Sequence, residues 1–297
     1  MIRRPDSPGT DSKAEMKILV TGSAGRLGAR LRRRFETLNE VDVLYLRNPK
    51  HGSPEDVSEV DVTDSDALIR AVDTFAPDSI VHLASIAGSA CEDDVDRAYR
   101  VNVGAVETIA VAARDAGVSR VIFASTSAVY GDQYDRPVSE DDGLNPKSIY
   151  ARTKQQAEEI LDEYARGSDS FRSVSLRIFN VYGPGFDGSL VSKLRNSSPA
   201  HRTKLRNLDT FVRDYSHVDS VVDAIQSSLT ATLATKASNI NIGSGIPTTN
   251  RALVEHLRQK APVYFDVIPG DYSYSCADIS SAAHVLGFEP SGGLSGA

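Results

Sequence analysis

The chain has 297 residues, 40% of them hydrophobic, and a formal net charge of −7. This is enough apolar material for a full core, while the lack of any apolar run of membrane-spanning length argues against a membrane partner. The negative net charge likewise argues against a nucleic-acid partner. Cys91 and Cys276 stand far apart without metal-ligand neighbours, so we expect a reducing, cytoplasmic compartment, no thiol chemistry and no metal site.

The first predicted element is an apolar strand over residues 17–21, followed by three glycines and a helix over 26–38. Glycines at this spacing let the backbone turn sharply and approach a pyrophosphate, and the free N–H groups at the helix start favour an anion. A tight strand-to-helix turn without a ligand is the alternative. We therefore expect cofactor contacts at Gly22, Gly25, Arg26, Leu27 and Gly28.

Apolar β-rich runs then alternate with helical patterns, which is typical of a parallel sheet covered on both faces. The fold class expected is α/β, a doubly wound parallel Rossmann sheet with a smaller C-terminal substrate lobe. Strands are predicted at 17–21, 42–46, 57–60, 78–84, 120–125 and 173–178, and helices at 26–38, 64–75, 93–116 and 148–166.

The alternation of strands and helices ends near residue 180, which predicts that the chain is divided into two parts there. Residues 17–180 are predicted to form the dinucleotide-binding domain, and 181–290 mainly a substrate-binding lobe with elements that return to the sheet. The polar residues 1–16 predict a disordered lead-in without a signal peptide, and the glycine- and serine-rich residues 291–297 predict a flexible tail.

Tyr150 and Lys154 lie four residues apart on the predicted helix 148–166, with Ser148 as its cap. This spacing places the phenol and the ammonium on one face, where the cation favours the phenolate and moves the tyrosine pKa toward neutrality. An ordinary surface pair is the alternative. A hydroxyl-rich turn, residues 124–131, follows the buried strand and is expected to face the same cleft.

The glycine turn, the hydroxyl turn and the Tyr/Lys pair come in the order found in the extended short-chain dehydrogenase/reductase family. Further matching segments are 82–84, 101–103, 177–184, 213–218 and 241–245. Across residues 17–290 the chain resembles that family, and within it the nucleotide-sugar epimerases and dehydratases. The resemblance implies hydride transfer between a nicotinamide and a sugar carbon, most often C4.

The resemblance also implies roles for individual residues. Tyr150 would be the acid/base, Thr126 would donate a hydrogen bond to the same sugar oxygen, and Lys154 would hold the nicotinamide ribose and tune Tyr150. It implies a homodimer formed by the two long helices, where Ile109, Ala110, Ala113, Ala157, Ile160 and Leu161 are apolar at helical spacing. It adds cofactor contacts at Asp61, Val62, Leu83 and Ala84, and substrate contacts at Ser85, Ser127, Asn180 and Arg213.

The chain departs from the family pattern at four positions. Arg47 stands at the end of the second strand, where users of NAD carry an acidic residue, so we expect NADP(H) to be favoured over NAD(H). Ser127 and Ala128 replace the acid–base pair that dehydratases use, which argues against 4,6-dehydration. Ile268 stands where relatives often carry an arginine that meets the nucleotide diphosphate.

The sequence therefore favours an NADP-dependent nucleotide-sugar epimerase or 4-ketoreductase that acts on a hexose, with a nucleoside-diphosphate sugar as its substrate. Ile268 and the short lobe leave open a second enzyme, an NADP-dependent dehydrogenase or reductase of a non-nucleotide sugar or small carbonyl. A third possibility, which is not an enzyme, is a non-catalytic NADP-binding sensor. The presence of Thr126, Tyr150 and Lys154 argues against it.

Overall fold

A computed structural model describes residues 16–38, 40–48, 58–169 and 171–291, together with Leu294. The predicted lead-in, apart from Met16, lies outside the described residues. The same holds for the predicted tail, apart from Ser291 and Leu294.

The fold is organised around a sheet of seven parallel strands in the order β11-β6-β5-β4-β1-β2-β3. The remaining strands form small sheets in the C-terminal part. In chain order the strands are β1 (Met16–Thr21), β2 (Val41–Arg47), β3 (Ser58–Glu59), β4 (Ser79–His82), β5 (Arg120–Thr126), β6 (Arg172–Ile178), β7 (Asn180–Tyr182), β8 (Thr203–Arg206), β9 (Phe211–Arg213), β10 (Tyr215–His217), β11 (Ala237–Ile242), β12 (Thr248–Thr249), β13 (Phe265–Ile268) and β14 (Ser273–Ser275).

Helices cover both faces of the large sheet. A π-helical turn spans Arg100–Gly104 and a 3-10 turn spans Ser127–Tyr130. In chain order the α-helices are α1 (Arg26–Phe35), α2 (Ser65–Phe75), α3 (Ala90–Asp93), α4 (Val95–Tyr99), α5 (Ala105–Asp115), α6 (Ile149–Arg166), α7 (Leu190–Arg195), α8 (Val218–Thr230), α9 (Asn250–Arg258) and α10 (Ser280–Leu286).

Successive residues of the central strands belong to opposite cores. Ile18 and Val20 pack with α1, α8 and α10, whereas Leu19 between them packs with α2, α5 and α6. In β5, Ile122 belongs to the first core and its neighbours Val121 and Phe123 to the second. This alternation follows from the two-residue period of a strand and explains why these strands are apolar throughout. The predicted doubly wound Rossmann fold is confirmed.

The strand order reverses between β1 and β4, because the chain first adds β2 and β3 on one side of β1 and then β4, β5 and β6 on the other. At such a point the connections leave in opposite directions and a crevice opens at the carboxyl ends of the strands. The Oγ1 of Thr21 and the Nδ1 of His82 lie 2.7 Å apart across this crevice, and tie the ends of β1 and β4 together.

Two predicted elements differ from those observed. The single helix predicted over 93–116 is divided into α3, α4, the π-helical turn and α5, because Asp94 leaves the helical conformation and its carboxylate caps α4 at the Arg97 N–H. The strand predicted over 57–60 is only β3, a two-residue strand beside the end of β2. The sheet also has one more strand than the six predicted, since β11 joins it beside β6.

The C-terminal part combines a small core of its own with elements that pack on the large sheet. Tyr182, Leu194, Leu205 and Leu253 belong to the small core, which lies among β7, β8, α7 and α9. By contrast, β11, α8 and α10 contribute to the core of the large sheet. None of the helices in the described ranges is both long and apolar enough to span a membrane.

The apolar residues predicted for a dimer face pack inside the protein. Ile109, Ala110, Ala113, Ala157 and Leu161 are all fully buried against the sheet, and only Ile160 is partly exposed. Their helical spacing is therefore explained by the core of this one chain, and it does not support a homodimer.

Replacing Ile122 by alanine should lower the free energy of unfolding by about 2–5 kcal/mol, because the side chain is fully buried on β5, an interior strand of the sheet, and its removal leaves a cavity. Ile246→Ala is the matched control, since Ile246 is 47% exposed, and it should change the unfolding free energy by less than about 0.5 kcal/mol. Urea denaturation measures both; similar losses would show that β5 is not central to the core.

Candidate active site

A cleft of about 450 Å³ opens at the carboxyl ends of β1, β4, β5 and β6. Its walls come from the glycine turn after β1 on one side and from α6 and the end of β5 on the other. The structure thus brings together residues that are far apart in the sequence. The predicted site residues that line the cleft are Gly22, Gly25, Arg26, Leu27, Gly28, Leu83, Ser85, Thr126, Tyr150 and Lys154.

A second cavity of about 170 Å³ adjoins the first, and both are lined by Gly22, Gly25 and Ser85. It lies over the ends of β2 and β4, on the far side of the glycine turn from Tyr150. Predicted cofactor residues that line this smaller cavity are Arg47, Val62, Leu83 and Ala84. The two cavities together form an elongated site.

The glycine turn packs too closely on its surroundings to admit any side chain. A Cβ on Gly22 would lie 2.5 Å from the Ala84 nitrogen, and Gly22 has a φ of +69°, which favours glycine. A Cβ on Gly28 would lie 2.4 Å from the Gly22 carbonyl oxygen and 2.7 Å from the Ser23 Cα. The start of α1 is thereby held against the strand ends, and its free N–H groups face the cleft.

Tyr150 is half-buried at the start of α6, where its hydroxyl is hydrogen-bonded to Thr126. Ser148 caps this helix by accepting from the Ala151 N–H at 3.1 Å, as predicted. Burial raises the pKa of Tyr150 to about 12, and the bond to Thr126 opposes this shift. The expectation that Lys154 brings this pKa toward neutrality is therefore wrong, because desolvation outweighs the other effects.

Lys154 lies one turn further along α6 and is only 1% exposed. Its ammonium donates to the Ala124 carbonyl at 2.8 Å and lies 4.5 Å from the centre of the Phe123 ring. Burial lowers the pKa of Lys154 to about 7, while the charge of Glu158 opposes the shift. The ammonium is 5.9 Å from the centre of the Tyr150 ring, so the predicted pair does share one face of the helix.

Arg47 closes the smaller cavity at the end of β2 and is 8% exposed. One of its terminal nitrogens, Nη2, donates to the Glu59 carboxylate of β3. Its Nε and Nη1 are buried and have no hydrogen-bond partner in the described structure. An arginine with two unsatisfied N–H groups is an unusual feature of a protein interior, since such groups are nearly always paired.

Residues 18–243 match the NAD dependent epimerase/dehydratase family. A UDP-glucose 4-epimerase of Mycolicibacterium smegmatis is 31% identical to this chain, over 93% of this chain and 94% of the relative. The chain belongs to the NAD dependent epimerase/dehydratase family. The resemblance to extended short-chain dehydrogenases/reductases is thereby confirmed.

Solved structures agree with the family assignment. MoeE5 in complex with UDP-glucose and NAD superposes with a TM-score of 0.81 at 28% identity, covering 94% of each chain. The UDP-glucose 4-epimerase of Thermus thermophilus, solved with NAD, gives a TM-score of 0.78 at 27% identity and covers 93% of this chain and 94% of its own. Both likenesses extend over the lobe as well as the sheet.

The described residues of this family member fit a nicotinamide dinucleotide. The elongated site runs from the smaller cavity past the glycine turn to Tyr150. The N–H groups in the first turn of α1 have no acceptor within the helix and lie beside the glycine turn, where they can bind a pyrophosphate. Within the described ranges, no cluster of three or more histidine, cysteine, aspartate or glutamate side chains could hold a metal ion.

Four predicted site residues are not among those that line the two cavities. The Asp61 carboxylate accepts from the Thr63 backbone N–H at 3.0 Å and from Asn48. Ser127 begins the 3-10 turn, and the Asn180 amide donates to the Asp214 backbone carbonyl at 3.1 Å. Arg213 donates to Ser273 in the lobe at 2.6 Å. Their predicted ligand contacts therefore stay predictions.

Some residues at the site were not predicted. Asn102, in the π-helical turn, donates to Thr153 of α6 at 3.0 Å and accepts from the Ile86 N–H at 2.8 Å, so it fixes α6 to the loop after β4. The only sequence signal for Asn102 is its position in segment 101–103, which matches the family pattern. Phe186, Gly188 and Ser189 also line the cleft, but they follow an irregular loop whose path the sequence did not indicate.

Gly28→Ala should weaken the binding of NADH about tenfold or more, because the new methyl group would push the start of α1 away from the Gly22 carbonyl. Quenching of protein fluorescence by the cofactor measures the dissociation constant. Gly167→Ala is the control, because Gly167 follows the far end of α6 and a Cβ there would have room, at 3.5 Å from the nearest atom. Unchanged affinity in Gly28→Ala would contradict the assigned role of the glycine turn.

Proposed function

We propose that the protein is an NAD(P)-dependent nucleotide-sugar 4-epimerase that acts on a UDP-hexose. The observation that carries this proposal is the convergence of Thr126, Tyr150 and Lys154 on the glycine turn within one cleft. The choice of UDP is supported by the relatives, since the M. smegmatis protein is a UDP-glucose 4-epimerase and MoeE5 was solved with UDP-glucose.

A bound nicotinamide supplies a hydride acceptor and donor beside the sugar. As the phenolate, Tyr150 would take the proton from the C4 hydroxyl, and loss of the C4 hydride to the nicotinamide would complete the oxidation to a 4-keto sugar. The phenol formed in this way would return its proton to the C4 oxygen when the hydride is returned to the other face of the sugar. Thr126, which lies beside the Tyr150 hydroxyl, would donate to the sugar oxygen, while Lys154 would hold the nicotinamide ribose and place a positive charge near the phenolate.

The residues after Thr126 support epimerisation over dehydration. Ser127 and Ala128 belong to the 3-10 turn, and the Ala128 N–H is committed to the Thr126 Oγ1 at 3.2 Å. Neither side chain can act as the second acid or base that elimination of water requires. A cycle in which the hydride leaves and returns needs only the groups that the cleft contains.

The proposal is tested by incubating the purified protein with cofactor and UDP-glucose and following the sugar by proton NMR. Formation of UDP-galactose without net change in reduced cofactor supports a 4-epimerase. Net consumption of reduced cofactor with a 4-keto substrate would identify a ketoreductase, and turnover of a sugar without a nucleotide would identify the second enzyme class. Tight cofactor binding without turnover of any of these would favour the sensor.

Tyr150→Phe should lower kcat by about 10²–10⁴-fold, because the ring keeps its place but has no proton to exchange. The affinity for NADH should change by less than about threefold, since the hydroxyl does not form the glycine turn. Tyr164→Phe is the control on the same helix, where the ring packs against Arg114 at 5.5 Å, far from the cleft. Turnover by Tyr150→Phe at the rate of the control would remove Tyr150 from the mechanism.

A finer proposal concerns the cofactor: NADP(H) is favoured over NAD(H). It is supported by the two unpartnered N–H groups of Arg47 at the cavity beyond the glycine turn, which a 2′-phosphate would satisfy. Glu59 opposes it, because its carboxylate neutralises Arg47, and the two solved relatives were determined with NAD. With half of its side chain exposed, Glu59 is free to turn toward solvent when a phosphate takes its place.

Arg47→Ala should reduce the preference for NADP(H) over NAD(H) about tenfold, because it removes a charge-assisted hydrogen bond to the 2′-phosphate. Glu59→Gln should raise the preference by removing the competing carboxylate. The ratio of the two dissociation constants measures the effect, and Arg114→Ala, a surface arginine paired with Asp115, is the control. An unchanged ratio in Arg47→Ala would show that Arg47 serves only as the ion-pair partner of Glu59.

A homodimer and the cellular location stay predictions. The buried apolar residues of α5 and α6 are used within the chain, so any dimer through these helices would have to form through their outward sides.

A further inference from the structure

A fully enclosed ion pair lies directly behind the catalytic residues. The Glu158 carboxylate, on α6, accepts from the Arg177 guanidinium of β6 through Nη2 at 2.8 Å and through Nε at 3.2 Å. The two side chains are 3% and 4% exposed. Burial of such a pair in a sheet core contributes little to stability compared with apolar residues of the same size, so its presence calls for another role.

Glu158 faces the same way as the catalytic residues of α6. It follows Lys154 by four residues, which places the two side chains on one side of the helix. Its carboxylate also accepts a hydrogen bond from the Ser125 hydroxyl. Ser125 stands between Ala124, whose carbonyl accepts from the Lys154 ammonium, and Thr126, which bonds Tyr150. One carboxylate therefore fixes the strand end that holds both catalytic side chains.

Few other groups can balance the Lys154 charge. Four titratable side chains lie close to the Lys154 ammonium or interact with its charge. They are Tyr150 and Glu158 on its own helix, Cys91 on α3 and His82 on β4. Burial lowers the pKa of His82 to about 3 and raises that of Cys91, so both are neutral. Glu158 is the carboxylate in this set, and its charge raises the pKa of Lys154 against the effect of burial.

Arg177 connects the pair to the other side of the cleft wall. Its Nη1 donates to the Tyr130 hydroxyl at 2.9 Å, and that hydroxyl donates to the Asn241 side chain at 2.8 Å. Tyr130 ends the 3-10 turn that begins after Thr126. Burial raises the pKa of Glu158, and the hydrogen bonds from Arg177 oppose this shift and favour the carboxylate form.

We infer that Glu158, held by Arg177, is a positioning residue that keeps the Lys154 ammonium charged and fixes its acceptor strand at the active site. The inference deepens the proposed epimerase function and rests on it for its catalytic meaning. Its electrostatic part concerns the protein itself and is measurable without any substrate.

The test is the titration of Lys154 in full-length protein labelled with 13C-lysine, with the Lys154 signal assigned by its absence from Lys154→Met. In Glu158→Gln the pKa of Lys154 should fall by about one unit, because a buried negative charge near the ammonium is lost. Asp162→Asn is the matched control, a buried carboxylate on the same helix but eight residues from Lys154, and it should shift the pKa by less than about 0.3 unit.

Glu158→Gln leaves the Arg177 charge buried and unpaired, so this variant is at risk of unfolding. The double variant Glu158→Gln/Arg177→Met removes both charges and should also lower the pKa of Lys154, because the Glu158 charge that raises this pKa is lost. A Lys154 pKa equal to that of the wild type in a folded variant would overturn the inference.

The pH dependence of kcat separates positioning from general damage. Loss of the Glu158 charge should move the alkaline limb of the profile down by about one pH unit, since the ammonium is then lost at lower pH. A lower kcat with an unmoved limb would assign Glu158 a purely structural role. If the wild-type protein turns over no sugar, the proposed function fails, while the Lys154 titration still decides the electrostatic part.

Discussion

The burial of one positive charge determines much of the arrangement around the site. An ammonium removed from water is costly unless polar groups replace the water, and Lys154 has the Ala124 carbonyl and the faces of two aromatic rings close to it. The Lys154 ammonium reaches these partners only if α6 lies at one particular position against the end of β5. The Asn102 bond to Thr153 and the Glu158 bond to Ser125 fix the position of α6 at two different turns of the helix, and the cap at Ser148 determines where the helix begins.

The topology of the sheet explains why such distant residues meet. All seven strands are parallel, so every strand ends at the same edge, and the reversal between β1 and β4 keeps helices from covering that edge at its centre. The glycine turn after β1 and the hydroxyl-bearing end of β5 therefore face each other across the end of β4. The contact between Thr21 and His82 holds the two halves together, and burial keeps the imidazole neutral there, with a pKa of about 3.

Features with a local chemical signature were predictable from the sequence. The apolar strands, the glycine turn, the cap at Ser148 and the shared face of Tyr150 and Lys154 depend on neighbours within a few residues. Features set by contacts between distant segments were not. The π-helical turn places Asn102 against Ile86 of a distant loop, the place of β11 depends on tertiary pairing, and the Glu59 partner of Arg47 depends on the register of β2 and β3.

The pKa of Tyr150 was mispredicted for an instructive reason. A helical spacing reports that a cation is near, but not how much water surrounds it, and here burial disfavours both the phenolate and the ammonium when each is charged alone. The same low-dielectric surroundings strengthen the attraction between the two when both are charged. Either charge therefore promotes the other, and a group that stabilises the ammonium also makes the phenolate more accessible. This coupling gives the carboxylate at Glu158, which bonds Ser125 and Arg177 and not the phenol, an influence on the basicity of Tyr150.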